Sequence, residues 1–136
     1  MKNKKSKSDY IGTRNEELRA RLIERMGRYP GRLDLLWEEI ATLPAGRFYI
    51  SEERAARLLS HRRRTGSWPR GIKPHRCLML EEIWRRVELA RRRNPEKSLS
   101  DIVFEVVNSP APSLYITAGS MRAIMSTYRN SLKNYG

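Results

Sequence analysis

Residues 43–51 read LPAGRFYIS, and residues 109–117 read SPAPSLYIT. The two strings share a Pro-Ala breaker, an apolar run that ends in Tyr-Ile, and a Ser or Thr suited to cap a helix. They align without a gap at an offset of 66 residues, over positions 43–63 and 109–129. Turn and cap chemistry alone would require less similarity, so we interpret the strings as the mark of an internal duplication.

Two helical patterns precede each string and one follows it. After Thr13, apolar side chains recur every four residues at Leu18, Leu22 and Met26, which is typical of one face of a helix. Ser51 and Thr117 stand where each third helix would begin. The patterns predict helices over residues 13–26, 32–42, 52–64, 79–93, 99–106 and 118–132.

The sequence therefore predicts an all-α fold of two related three-helix units, each ordered helix–helix–loop–helix and joined by a Gly/Pro linker. The predicted segments are a disordered basic arm (1–12), a first unit (13–64), a basic linker (65–77) and a second unit (78–134). The arm carries four lysines and little to bury, so it is either a solubilising tail or a non-specific phosphate contact.

Charge is concentrated in the middle of the chain. The formal net charge is +13, yet residues 54–80 contain eight Arg and Lys residues and no Asp or Glu. Like charges packed so densely repel one another and destabilise a compact state, and a polyanion is the usual compensating partner. The sequence pI of about 10.6 lies in the range typical of nucleic-acid-binding domains.

The third helix of each predicted unit has one apolar face and one cationic face. In the first unit the cationic face carries Arg54, Arg57, His61 and Arg64 at helical spacing. In outline, such a unit resembles the tri-helical helix–turn–helix DNA-binding domains, whose last helix enters the major groove. The link before the helix has about eight residues, whereas that motif uses a turn of about 3–4.

We expect these basic side chains to contact nucleic acid, mostly at phosphates. Arginine dominates among them, which suits bidentate contacts to phosphate or guanine. The candidate contact residues are Arg54, Arg57, His61, Arg62, Arg63, Arg64, Arg70, Lys73, Arg76, Arg122, Arg129 and Lys133. Trp68, alone in the linker, is either a plug against the core or a base-stacking platform, and its isolation favours the plug.

Other chemistry finds little support in the sequence. His61, His75 and Cys77 lack a Cys-x-x-Cys pair and a fourth ligand, so no metal site or cofactor is expected. No phosphate loop, nucleophile elbow or zincin string occurs, so no enzymatic activity is expected. No apolar run is long enough to cross a membrane, so no membrane partner is expected.

The function predicted from the sequence is non-enzymatic nucleic-acid binding, with double-stranded DNA favoured over RNA. The alternatives are a basic structural or interaction component of a larger nucleoprotein or viral assembly, with protein partners, or an RNA-binding protein. A single cysteine fits a reducing compartment, so a cytoplasmic location is expected.

Overall fold

The computed structural model describes the backbone of residues 2–135 and the side chains of residues 10–127. Within these residues the fold is all-α and contains no strand. Its helices are α1 (Lys2–Arg25), α2 (Leu33–Ala41), α3 (Glu52–Thr65), α4 (Pro74–Arg93), α5 (Leu99–Val107) and α6 (Ala118–Tyr135).

Three helices begin at the caps that the sequence indicates. The Ser51 hydroxyl accepts from the backbone N–H of Arg54 at 3.1 Å, and the Ser98 hydroxyl accepts from that of Asp101 at 3.1 Å. Thr117 accepts from the N–H of Ser120 at 3.2 Å. Each cap satisfies a backbone donor that the first turn of a helix leaves without a partner.

Helix α1 begins at Lys2, well before the start predicted at Thr13. Residues 2–12, which we expected to form a disordered arm, are therefore helical, although Met1 and the side chains of residues 2–9 lie outside the described part. The Tyr10 hydroxyl donates to Glu52 at 3.0 Å, and the Arg47 guanidinium lies 4.3 Å from the centre of the Tyr10 ring. These contacts hold this part of α1 against the start of α3.

Helix α4 also begins earlier than predicted, at Pro74. Proline suits the first turn of a helix, because its fixed φ is helical and its missing N–H would have no partner there. The linker predicted over residues 65–77 is therefore a shorter loop of residues 66–73, preceded by α3 and followed by α4.

One hydrophobic cluster of the described residues joins both halves of the chain. Its largest fully buried side chains are Leu18, Leu22, Ile40, Phe48, Leu59, Met79, Leu80, Ile83, Val87, Ile102, Val103 and Val107. Met121 and Met125 bring α6 into the same core. The linker between the predicted units therefore does not separate two independent cores.

The third helices are exchanged between the two halves. Helix α3 packs on α4 and α5, whereas α6 packs on α1 and α2. The described chain thus has two groups of three helices, α1 with α2 and α6, and α4 with α5 and α3. Packing therefore does not follow the units 13–64 and 78–134 that the sequence order suggests.

The two Pro-Ala strings meet where the halves cross. Ala45 and Ala111 exchange backbone hydrogen bonds of 2.8 and 3.0 Å and form an isolated antiparallel bridge. The backbone N–H of Phe48 donates to Val107 at 3.0 Å close by.

Matching arginines hold both strings. Arg21 donates to the carbonyl of Pro44 at 2.9 Å, and Arg86 donates to that of Pro110 at 2.7 Å. Each arginine also pairs with the glutamate four residues before it.

Candidate nucleic-acid interface

Four of the candidate cations line one recess on the surface. Arg54 on α3, Arg70 and Lys73 on the loop 66–73, and Arg76 on α4 surround a cavity of about 400 Å³. The remaining lining residues are Leu58, Pro69, Gly71 and Ile72. We call this recess the basic pocket; none of its lining residues is acidic.

The loop 66–73 brings these side chains together by turning α4 back against α3. Gly66 ends α3 in the left-handed conformation, with φ of 85°, and its N–H donates to the Arg62 carbonyl at 2.7 Å. Gly71 also has a positive φ, of 88°. Glycine adopts such angles without the steric cost of a side chain. Both turns lie within eight residues of Pro74, the first residue of α4, so they fix where that helix starts.

The basic pocket is electrostatically strained. Burial lowers the pKa of Arg76, and the charges of Arg54 and Arg14 lower it further. Burial likewise lowers the pKa of His75, followed by the charges of Arg76, Lys73 and Arg14. These groups are therefore close enough to repel one another.

Within the described residues, Arg54 has an unpaired hydrogen-bond donor beside the basic pocket. Its Nε is buried and has no hydrogen-bond partner within the described chain. Buried polar groups almost always have a partner, so the Arg54 Nε departs from the usual pattern at a residue that lines an acid-free recess.

Arg14 was missed by the sequence reasoning. Burial lowers the pKa of its guanidinium, and its charge acts on Arg76 and His75. No local signal could have found it, because its place beside the pocket depends on how α1 packs against distant helices.

Arg62 and Arg63 lie in a different setting from the basic pocket. Arg62 donates to Glu81, and its guanidinium lies 4.9 Å from the ring centre of Trp68 and 5.0 Å from that of Trp84. Trp68 packs edge-on against Trp84 and donates its indole N–H to Glu81 at 2.8 Å. We call Arg62, Trp68, Glu81 and Trp84 the tryptophan clamp.

Arg63 extends the tryptophan clamp along α4. It donates to Glu88 at 2.8 Å, and its guanidinium lies 5.1 Å from the Trp84 ring centre. The expectation of one continuous cationic surface over residues 54–80 is therefore wrong for Arg62 and Arg63. Carboxylates of α4, which follow the acid-free stretch in sequence, fold back onto them. Trp68 packs against the core, as the plug interpretation predicts.

The other candidate residues are spread along the helices. Arg57 and Arg64 are exposed on α3 and have no ion pair within residues 10–127, and Arg122 is exposed on α6. The His61 ring nitrogen Nδ1 lies 3.1 Å from the Ser67 carbonyl, so this residue faces the loop. The side chains of Arg129 and Lys133 lie outside the described residues.

A second depression runs along the outer face of α4. It has a volume of about 980 Å³, and Leu78, Trp84, Leu89 and Tyr115 provide its apolar surface. Leu78 is 65% exposed and Leu89 is 38% exposed. We call this depression the apolar groove. Five charged residues also line it, namely Glu81, Glu82, Arg85, Glu88 and Arg92.

In the part of the chain that the structure describes, no three His, Cys, Asp or Glu side chains are grouped so that they could hold a metal ion. No helix in that part has the length and hydropathy needed to span a bilayer. Comparison of the chain with protein-family models, curated protein sequences and solved structures finds no match.

Proposed function

We propose that this protein binds nucleic acid without catalysing a reaction, with duplex DNA favoured over RNA. The basic pocket is its principal phosphate contact. The observation that carries the proposal is the convergence of Arg54, Arg70, Lys73 and Arg76 on one recess with no acidic lining residue. Such a cluster costs the folded protein stability, and phosphate oxygens are the acceptors that best offset the cost.

Within this proposal, Arg57 and Arg64 add exposed contacts along α3, and Arg122, Arg129 and Lys133 provide a second footprint on α6. Helix α3 corresponds to the recognition helix of a helix–turn–helix domain in outline only. The apolar face of α3, which carries Ala55 and Leu59, is covered by α4 and α5. The binding mode that we propose is therefore backbone contact rather than base reading, which makes affinity depend weakly on sequence.

We also infer that the chain is a duplicated three-helix unit whose third helices have exchanged places. The matching contacts of Arg21 with Pro44 and of Arg86 with Pro110 support this. So does the pairing of Ala45 with Ala111, which occupy the same position in the two strings.

A titration with labelled oligonucleotides tests the proposed function. Equal lengths of duplex DNA, single-stranded DNA and RNA are compared by fluorescence anisotropy at several salt concentrations. The expected order places duplex DNA first. Each phosphate that the protein neutralises makes the slope of log affinity against log salt more negative by about 0.9. Contacts with about four phosphates, shared between the basic pocket and the exposed cations of α3 and α6, therefore predict a slope of about −3 to −4. Affinity for duplex DNA that does not change with salt would contradict the phosphate mechanism.

A second candidate is a basic structural component of a nucleoprotein assembly that also contacts protein. The apolar groove favours it, since Leu78 and Leu89 expose apolar surface beside Trp84. Failure to bind any nucleic acid at micromolar concentration and low salt would favour this candidate over the first.

A further inference from the structure

We infer that the basic pocket receives the terminal phosphate of a nucleic-acid strand, which is a phosphomonoester, rather than a phosphodiester within the strand. This inference rests on the proposed function and deepens it by assigning the pocket a ligand. It concerns the strand end, whereas the exposed cations of α3 would contact the rest of the backbone.

Charge is the first support. Four cationic side chains line the pocket. Arg14 lies close enough for its charge to lower the pKa values of Arg76 and His75, so it adds to the positive potential there. A phosphomonoester carries a charge of about −1.5 to −2 at neutral pH and three strong acceptor oxygens, whereas an internal phosphodiester carries one charge. The excess of cations over a single negative charge therefore favours the monoester.

Shape is the second support. The pocket lies between α3, the loop 66–73 and the first turn of α4, and its volume of about 400 Å³ falls in the range of sites for small molecules. An internal phosphate is flanked by sugars on both sides, so it meets exposed cations more readily than it enters a recess. A strand end has one free side and can enter.

The mixed lining is the third support. Leu58, Pro69 and Ile72 add apolar surface beside the cations. Sites for small organic ligands typically combine apolar walls with a few polar groups that fix orientation. Here the cations would hold the phosphate while the apolar side chains contact the sugar or base of the last nucleotide.

The buried Nε of Arg54 is the fourth support. It lacks a partner within the described chain although its residue lines the pocket. Because this Nε is buried, the Arg54 guanidinium must turn towards the pocket to donate it to a terminal phosphate, and the phosphate then supplies the partner that this donor lacks in the described chain.

The test uses the full chain and duplexes of one sequence that carry a 5′-phosphate, a 3′-phosphate or only hydroxyl ends, with an internal fluorophore. We expect a duplex with a phosphorylated end to bind about a hundredfold more tightly than the hydroxyl-ended duplex, which is the gain of about two charge-assisted contacts. The 5′ and 3′ arms report which end is preferred. Equal affinity for phosphorylated and hydroxyl ends would overturn the inference and leave the proposed function standing.

Two variants of equal net charge separate the pocket from general basicity. The pocket double variant, Arg54→Gln with Arg76→Gln, should lose the preference for phosphorylated ends. The clamp double variant, Arg62→Gln with Arg63→Gln, should keep it. Retention of the preference in the pocket double variant would place the end-binding site elsewhere and contradict the inference.

A free nucleoside 5′-monophosphate distinguishes a strand end from a mononucleotide. Under the inference it competes for the pocket but binds more weakly than the phosphorylated duplex, because it lacks the backbone contacts to α3. Binding as tight as that of the duplex would overturn the assignment to a strand end. Absence of binding to every nucleic acid would instead contradict the proposed function itself.

Discussion

Ala45 and Ala111 donate backbone hydrogen bonds to each other's carbonyls, although 66 residues of sequence separate them. Both side chains are almost fully buried. The pairing fixes the crossing of the two Pro-Ala strings, from which each third helix departs to pack on the opposite half. We therefore expect these two backbone hydrogen bonds to contribute measurably to the free energy of unfolding.

Replacing Ala45 with proline removes one of the two donors at the crossing. We expect Ala45→Pro to lower the free energy of unfolding by about 2–4 kcal/mol, measured by urea denaturation. Ala45→Gly is the control, because it keeps the N–H and loses only a small buried side chain. Equal midpoints for the two variants would show that the bridge contributes little.

The hydroxyl of Tyr49 donates to Glu17, which also accepts from the N–H of Gly46 and from Arg21. Burial raises the pKa of Tyr49 strongly, and the hydrogen bond to Glu17 raises it further. We expect Tyr49→Phe to cost about 1–2 kcal/mol of unfolding free energy, because a part-buried charged acceptor loses a partner.

Tyr115 is the matched control for Tyr49, since it occupies the same position in the second string. Its hydroxyl has no hydrogen bond within the described part of the chain, and its neighbour Glu82 accepts from Arg85 and Arg86 instead. Tyr115→Phe should therefore cost less than about 0.5 kcal/mol. Similar losses for both variants would contradict the account of Glu17.

Arg76 should oppose folding stability while it supports binding. Burial and the charges of Arg54 and Arg14 lower its pKa, so the charged form of Arg76 is less favourable in the folded state than in the unfolded chain. We expect Arg76→Gln to raise the free energy of unfolding by about 0.5–1 kcal/mol without nucleic acid, and to weaken binding. Thermal melts with and without duplex DNA measure both effects. Loss of stability together with loss of binding would indicate a structural role.

His75 should make stability fall as the pH drops below neutrality. Burial lowers its pKa, as do the charges of Arg76, Lys73 and Arg14, which face it from α4, the loop and α1. The unfolded chain therefore takes up a proton near pH 6.5, before the folded chain does, so stability declines from there towards the lower folded pKa.

His75→Gln should flatten that decline between about pH 7 and pH 5 in urea denaturation. The carboxylates of Glu17, Glu39, Glu52 and Glu82 have pKa values below 4.5, so their effects begin only in more acidic solution. An unchanged slope in the variant would assign the decline to other groups.

Local patterns predicted the six helices of the described chain and three of their caps, because a cap or an apolar stripe depends on neighbours in sequence, but they placed the starts of α1 and α4 too late. Ser51, Ser98 and Thr117 cap as the sequence indicates. The exchange of α3 and α6 could not be read in the same way. Each third helix has an apolar face that fits either half, and only the packed core decides which half it covers.

The candidate interface was also predicted only in part, because local charge is visible in the sequence whereas contacts between distant helices are not. The acid-free stretch 54–80 led to Arg54, Arg70, Lys73 and Arg76, which the fold does bring together. Counting charge along the chain could not show that Glu81 and Glu88 would return to Arg62 and Arg63. Nor could it place Arg14 beside the pocket, since that depends on packing between distant helices.

The most direct test of the central claim compares the pocket double variant with the clamp double variant in one titration against duplex DNA with phosphorylated ends. Both variants remove two arginines from residues 54–76 and have the same net charge, and circular dichroism verifies that both are folded. Each lost charge-assisted phosphate contact is worth about 1.5–3 kcal/mol. The account predicts that the pocket double variant loses at least about a hundredfold in affinity, whereas the clamp double variant loses less than about fivefold through its lower overall charge. Equal losses in the two variants would show that binding follows net charge alone, and the basic pocket would then have no special part in it.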